Sequence, residues 1–234
     1  MLLRRPRPDA VELADLGPLA QLRAGRLGRR IPQLLLGLWL YGAAMAMFIR
    51  SGLGLDPWDV FHAGLQQMLG WSFGTVVIVV GFAVLLLWIP LRQWPGLGTV
   101  ANAVVIGVAT DVTLGLVPAA TQWPASWLLL VGGLVVNGIA GALYIGSQLG
   151  PGPRDGLMTG LARRTGWSLR LVRTGLELSV LAIGWALGGT VGIGTVVYAL
   201  SIGPLVQFFL PMVIVRLDPV RPPLAAPAAA QAPC

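Results

Sequence analysis

Apolar residues run along this chain in six long blocks, 31–50, 72–90, 97–117, 127–146, 168–187 and 192–215, with most polar residues gathered between them. At 1.5 Å per residue, about 20 helical residues cross a hydrocarbon core of about 30 Å, so each block predicts a transmembrane helix. Two shorter stretches, Pro57–Leu69 and Pro153–Thr165, read differently. Each opens on a proline, carries an aspartate two residues later (Asp59, Asp155) and is followed by glycine, the start and stop signals of a short helix. A length of about 20 Å is too short to cross, so these helices lie in the interface or re-enter part-way. Residues 1–30 mix charge, proline and glycine around one weakly amphipathic stretch, Ala10 to Leu22. Residues 216–234 are proline- and alanine-rich without apolar periodicity, which predicts a disordered tail.

The pattern is written twice. Arg50 to Val77 and Gly146 to Arg173 align at a constant offset of 96 without a gap. They match at Ser51/Ser147, Leu53/Leu149, Gly54/Gly150, Pro57/Pro153, Asp59/Asp155 and the run Gly70-Trp71-Ser72 against Gly166-Trp167-Ser168. The same offset pairs Gly98, Thr99, Ala103 and Gly107 with Gly194, Thr195, Ala199 and Gly203. The expected organisation is a cytoplasmic tail (1–30), a first membrane repeat (31–117), an extracytoplasmic linker (118–126), a second membrane repeat (127–215) and a cytoplasmic tail (216–234).

Composition agrees with a membrane setting: 56% of residues are hydrophobic and 11% charged, where soluble domains carry about a quarter charged residues. The net charge of +7 comes from arginine alone, since the chain has no lysine, and those arginines flank apolar blocks as topology signals and not as a nucleic-acid surface. With the N-terminus inside, every arginine except Arg50 falls on the cytoplasmic side if the short helices do not cross. Three crossings per half then turn the second half upside down relative to the first, giving six spans, an inverted repeat and both termini in the cytoplasm. Crossing short helices would give eight spans and parallel halves, and would draw the arginines between 154 and 173 into the membrane. One histidine and one cysteine, Cys234 at the end of the chain, allow no disulfide, metal cluster or catalytic triad. Without a nucleophile–base pair or a phosphate loop, the expectation is a protein that is not an enzyme, with no cofactor and no metal.

Polar residues inside the blocks are the candidates for function, because each is costly in hydrocarbon unless it faces a bundle interior. The offset pairs Asp111 with Gln207, Asn102 with Tyr198, and Tyr41 with Asn137, as a pseudo-symmetric polar lining. Asp111 is the one acid of its block, open to a substrate or proton role or to the outer surface. Glu177 sits four residues after Arg173, on one helical face, as a structural ion pair or a coupling charge. Asp59 and Asp155, with Pro57, Pro153 and Arg154, mark helix starts where a carboxylate meets free N–H groups; they read as caps, or as ends of broken helices that line a cavity. His62 reads as an interfacial polar residue.

The stretches SGLGLDPWDVFHAGL, RQWPGLGTVANAVVIG, GPGPRDGLMTGLARRTG and GGTVGIGTVVYALSIGPLVQ resemble the YczE-type members of the YczE/YyaS/YitT membrane family, over about residues 31 to 211. YitT-type members carry an additional soluble C-terminal domain that has no counterpart here. The resemblance implies a polytopic bacterial inner-membrane protein, with transport or export of small molecules suggested for relatives. The expected fold is an all-α bundle of two inverted three-helix repeats. The expected function is a secondary transporter with Asp111 and Gln207 on its path. The alternative is an accessory protein that binds a membrane or cytoplasmic partner through its arginine-rich surface. The expected partners are the lipid bilayer, a small-molecule substrate and either a second copy or another membrane protein.

Overall fold

The computed structural model describes residues 16–217. The start of the amphipathic stretch, Ala10 to Asp15, and residues 218–234 of the tail lie outside the described residues. Within them the chain is helical and contains no strand. The helices are α1 (Pro18–Arg23), α2 (Leu27–Ser51), α3 (Pro57–Leu69), α4 (Phe73–Leu91), α5 (Leu97–Leu116), α6 (Trp123–Gly146), α7 (Pro153–Thr165), α8 (Leu169–Ala186) and α9 (Ile193–Val213).

Five of these, α2, α4, α5, α6 and α9, are long and apolar enough to cross a membrane. α8, the remaining block, has the length without the composition, because Arg170, Arg173 and Glu177 fall within it. Charges on a spanning helix are tolerated where they pair or face a cavity, which directs attention to what α8 faces. α2 begins inside the expected N-terminal tail because Arg30 is not a solvated topology charge. It is fully buried, and its guanidinium donates to the carbonyls of Gln21, Gly25, Ser147 and Gln148 at 2.6–3.2 Å, fastening the start of α2 to the loop after α6. α6 likewise begins within the expected linker, with Pro124 in its first turn.

α2 packs along both α5 and α6; α9 leans on α6, α3 on α8, and α4 on α5 and α7. Leu34, Leu38, Met45, Phe73, Val77 and Ile106 form one buried cluster. Trp58, Val84, Trp88 and Leu157 form another, where the beginnings of α3 and α7 meet α4. The outer faces are apolar, with Leu86, Ile89, Leu200 and Phe208 exposed, as expected of surface in contact with lipid.

The loops before the short helices clasp the opposite half reciprocally. Gly98 N donates to Leu149 O and Gly194 N to Leu53 O, both at 2.8 Å, two bonds related by the 96-residue offset. Gly54 (φ 119°) and Gly150 (φ 120°) make this possible, since their backbone conformation disfavours any side chain. A Cβ on Gly54 would also sit 2.7 Å from Gly192 N. One relation is not shared: α4 lies against α5, whereas α8 and α9, joined by residues 187–192, diverge without comparable packing.

Candidate functional site

The two short helices begin next to each other. Asp56 caps α3, its Oδ1 accepting from Trp58 N at 2.8 Å and Asp59 N at 2.9 Å, and Pro57 takes the first helical position where no N–H is needed. At the start of α7, Arg154 points back to this cap: its Nη1 is 3.7 Å from Asp56 Oδ1 and its guanidinium lies 5.5 Å from the Trp58 ring centre.

Around this meeting point lies a cavity of about 300 Å³. Its walls carry Tyr41 from α2, Asn102 from α5, Asn137 and Tyr144 from α6, Arg154 and Asp155 from α7, Arg173 and Glu177 from α8, and Tyr198 and Gln207 from α9, with Asp56, Pro57 and Trp58 between them. Asp155 accepts a short hydrogen bond from Tyr144 OH, and Arg173 Nε lies 2.9 Å from Glu177 Oε1. Asn137 is 1% exposed, and neither its Nδ2 nor its Oδ1 has a partner in the protein; Asp56 Oδ2 and Trp58 Nε1 are also buried and unpartnered. Buried polar atoms are almost always satisfied, so four orphans around one cavity indicate that its contents complete them.

Asp59 is fully buried with Oδ1 3.2 Å from His62 Nδ1. Burial raises the carboxyls of Asp56 and Asp59, neither in a spanning helix, to about 6, and Asp59 adds to the rise at Asp56. Burial likewise lowers His62 to about 3, so it is neutral and not the interfacial residue its position suggested; its ring stands edge-on to Phe73 at 5.9 Å.

Of the residues singled out in the sequence, Asn102, Asn137, Tyr198, Gln207, Glu177, Asp155, Arg154 and Pro57 line the cavity. Pro153 lies behind it, its carbonyl accepting from Trp88 Nε1 at 3.0 Å. Asp59 is set back in α3, and the α3 cap is Asp56 instead. Asp111 lies away from the cavity: its carboxylate accepts from Ser72 Oγ at 2.5 Å and Gly74 N at 2.7 Å, fixing α5 to the start of α4. The Asp111–Gln207 pair therefore does not share one lining.

Asp56, Trp58 and Tyr144 are the cavity residues that the sequence pattern does not single out. Aspartate immediately before a helix-opening proline is a cap signal, but matching the two copies favoured the shared Asp59 and Asp155, and Asp56 is matched by Gly152.

The profile of a family of unknown function (DUF6198) matches residues 28–211. The chain belongs to this family. An uncharacterized protein of Haemophilus influenzae is 39% identical over 189 residues, covering 81% of this chain and 86% of its own. The uncharacterized membrane protein YczE of Bacillus subtilis is 36% identical over 188 residues, covering 78% and 86%. The uncharacterized protein YyaS of the same organism is 27% identical over 185 residues, covering 76% and 90%. No solved structure matches significantly. With such a relative and its apolar helices, the family member described here is a membrane protein with multiple spanning helices. The matched region holds every cavity residue named above.

Proposed function

We propose that this protein is a secondary transporter, or exporter, of a small molecule, built from six spans as two inverted three-helix repeats with re-entrant α3 and α7. In this reading α8 is the sixth span, with Arg173 and Glu177 turned to the cavity, and both termini face the cytoplasm of the inner membrane. The single observation that carries the proposal is the cavity at the meeting point of two broken-helix starts. Such starts present positive dipole ends and free N–H groups, and discontinuous helices in transporters build their substrate sites this way. The reciprocal bonds Gly98–Leu149 and Gly194–Leu53 support a two-fold relation between the halves, because exchanging the halves exchanges the bonds, and the arginine distribution favours the inverted form of that relation. Asp111, away from the cavity, has a positioning role here.

Asn137 supplies the test. Its side chain has no hydrogen-bond partner within the protein, so Asn137→Leu should change the stability of the purified protein by no more than about 1 kcal/mol. A thermal-unfolding screen of small molecules then separates fold from function. A ligand at a hundredfold excess over Kd stabilises wild type by about 2.7 kcal/mol. The proposal requires such a ligand, its effect lost in Asn137→Leu, and its flux across liposomes carrying wild type. Ligand binding without flux would leave a receptor and not a transporter.

A second reading has its own observation: Arg163, Arg164 and Arg170 are exposed around the α7–α8 corner. An accessory protein docking an acidic partner there loses that partner on charge reversal at Arg163 and Arg164.

A further inference from the structure

α4 and α5 close one flank of the molecule. A Cβ on Gly74 would lie 2.0 Å from Gly107 O, and one on Gly107 would lie 2.5 Å from Gly74 O, so the two backbones touch and only glycine fits on either side. Asp111 locks this seam through Ser72 and Gly74. At the offset of 96, Gly74 becomes Arg170, Val77 becomes Arg173, Gly81 becomes Glu177 and Asp111 becomes Gln207. The seam-forming face of α4 is thus replaced, position for position, by the charged face of α8. Gly107 becomes Gly203, where a Cβ would meet nothing within 4 Å. Gly203 and Gln207 line the cavity and are exposed, as is Arg173 opposite them on α8. The cavity therefore has a side door between α8 and α9, flanked by Ile202 and Val206, and in the six-span reading this door faces lipid.

Resting on the transporter reading above, we infer that the substrate is an amphiphile with a zwitterionic head, which occupies the cavity while its alkyl chain passes between α8 and α9 into the bilayer. A cavity of about 300 Å³ lies at the lower end of small-molecule sites, which suits a head group and not a whole lipid. The orphans offer both donors, Asn137 Nδ2 and Trp58 Nε1, and acceptors, Asn137 Oδ1 and Asp56 Oδ2. Two lining arginines against three lining acids, Asp56, Asp155 and Glu177, leave one negative charge if all are ionised, which opposes a net anion. An ammonium group suits Asp56 and the aromatic wall of Tyr41, Trp58 and Tyr198, and the head's anionic part suits Arg154 and Arg173. A water-soluble zwitterion would not need an opening toward lipid.

The test uses the full chain in lipid nanodiscs, with thermal unfolding read against hexylphosphocholine, phosphocholine and hexyl phosphate, each below its micellar concentration. Expected is a saturable rise in Tm with hexylphosphocholine, with half-saturation at least tenfold lower than for the other two. A Cβ at 203 meets nothing within 4 Å, so Gly203→Leu places a side chain in the door; it should fold with a Tm close to that of wild type and lose the response, whereas Gly115→Leu, at another open position on α5, keeps it. Equal stabilisation by phosphocholine overturns the amphiphile and leaves a site for a soluble substrate. Equal stabilisation by hexyl phosphate overturns the zwitterionic head. A response that survives Gly203→Leu is partitioning into the disc and overturns the proposal. Silence of all three probes overturns the amphiphile; if the broader ligand screen is also silent, the transporter reading fails with it.

Discussion

The two short helices differ most where they begin. α3 starts with Asp56, whose carboxylate satisfies two backbone N–H groups, and continues with an aromatic residue, Trp58. α7 starts with Gly152, which offers no side chain, and continues with Arg154, so its first turn has no side-chain cap. The same division runs through the flanks, closed between α4 and α5 and open between α8 and α9. Both halves line the cavity, but the first supplies the closed flank and the second the open one. In a repeat protein the shared residues set the scaffold, and the mismatched ones assign each copy its task.

The largest test of this difference is a pair of identical changes at equivalent glycines. Gly107→Ala places a methyl 2.5 Å from Gly74 O and 2.6 Å from an Ile78 side-chain atom, and should destabilise by about 3 kcal/mol. Gly203→Ala meets open space in a helix and should stabilise by up to about 1 kcal/mol, since only the backbone-entropy effect remains. Thermal unfolding of both variants checks the opposite signs. Losses of equal size would mean that α8 and α9 close as tightly as α4 and α5.

Arg154→Leu comes next. It leaves Asp56 buried without its cation, a change that costs about 3–5 kcal/mol for fully buried pairs. At 3.7 Å, with Arg154 a quarter exposed, about 2 kcal/mol is expected. Adding Asp56→Asn, which keeps a capping oxygen, should restore most of the loss; no recovery in the double variant would show that the two residues are not coupled.

A smaller contrast sets Asp111 against Gln207. Asp111→Ala removes two hydrogen bonds to a carboxylate at a half-exposed position and should cost about 1–2 kcal/mol, with ligand binding at the cavity kept. Gln207→Ala should change stability by less than about 0.5 kcal/mol and weaken binding. If Asp111→Ala abolished binding without loss of stability, Asp111 would belong to the path after all.

The helices were legible in the sequence because apolar block length and the glycine and proline punctuation at Pro57, Gly70, Pro153 and Gly166 act locally. Most of the cavity lining was legible too, since Asn102, Asn137, Tyr198 and Gln207 are polar where hydrocarbon forbids it. Asp111 met the same criterion for another reason: it faces the start of α4, and only packing distinguishes a carboxylate that ties two helices from one that faces a cavity. The burial of Arg30 was hidden likewise, because a flanking arginine and one clasping four carbonyls have the same sequence signature. The charged face of α8 was visible as Arg173 and Glu177, but that it replaces a glycine seam emerged only once Gly74 and Gly107 were seen in contact.

The finest test gives α7 the cap that its counterpart has. Asp replacing Gly at a helix start gains only a few tenths of a kcal/mol. At 152 the new Cβ would lie 3.2 Å from Asn102 Nδ2, 3.3 Å from Asp155 Oδ2 and 3.4 Å from Tyr144 OH, so the added carboxylate also meets the charge of Asp155. Gly152→Asp should therefore change stability by less than about 0.5 kcal/mol, the cap and the repulsion offsetting each other. Ligand binding should fall much further, because the aspartate occupies the uncapped turn and adds a negative charge beside Arg154. Measuring both on one preparation separates the roles of the two starts. Unchanged binding would make Gly152 a packing residue, whereas lost binding at constant stability would place the uncapped turn of α7 at the ligand site.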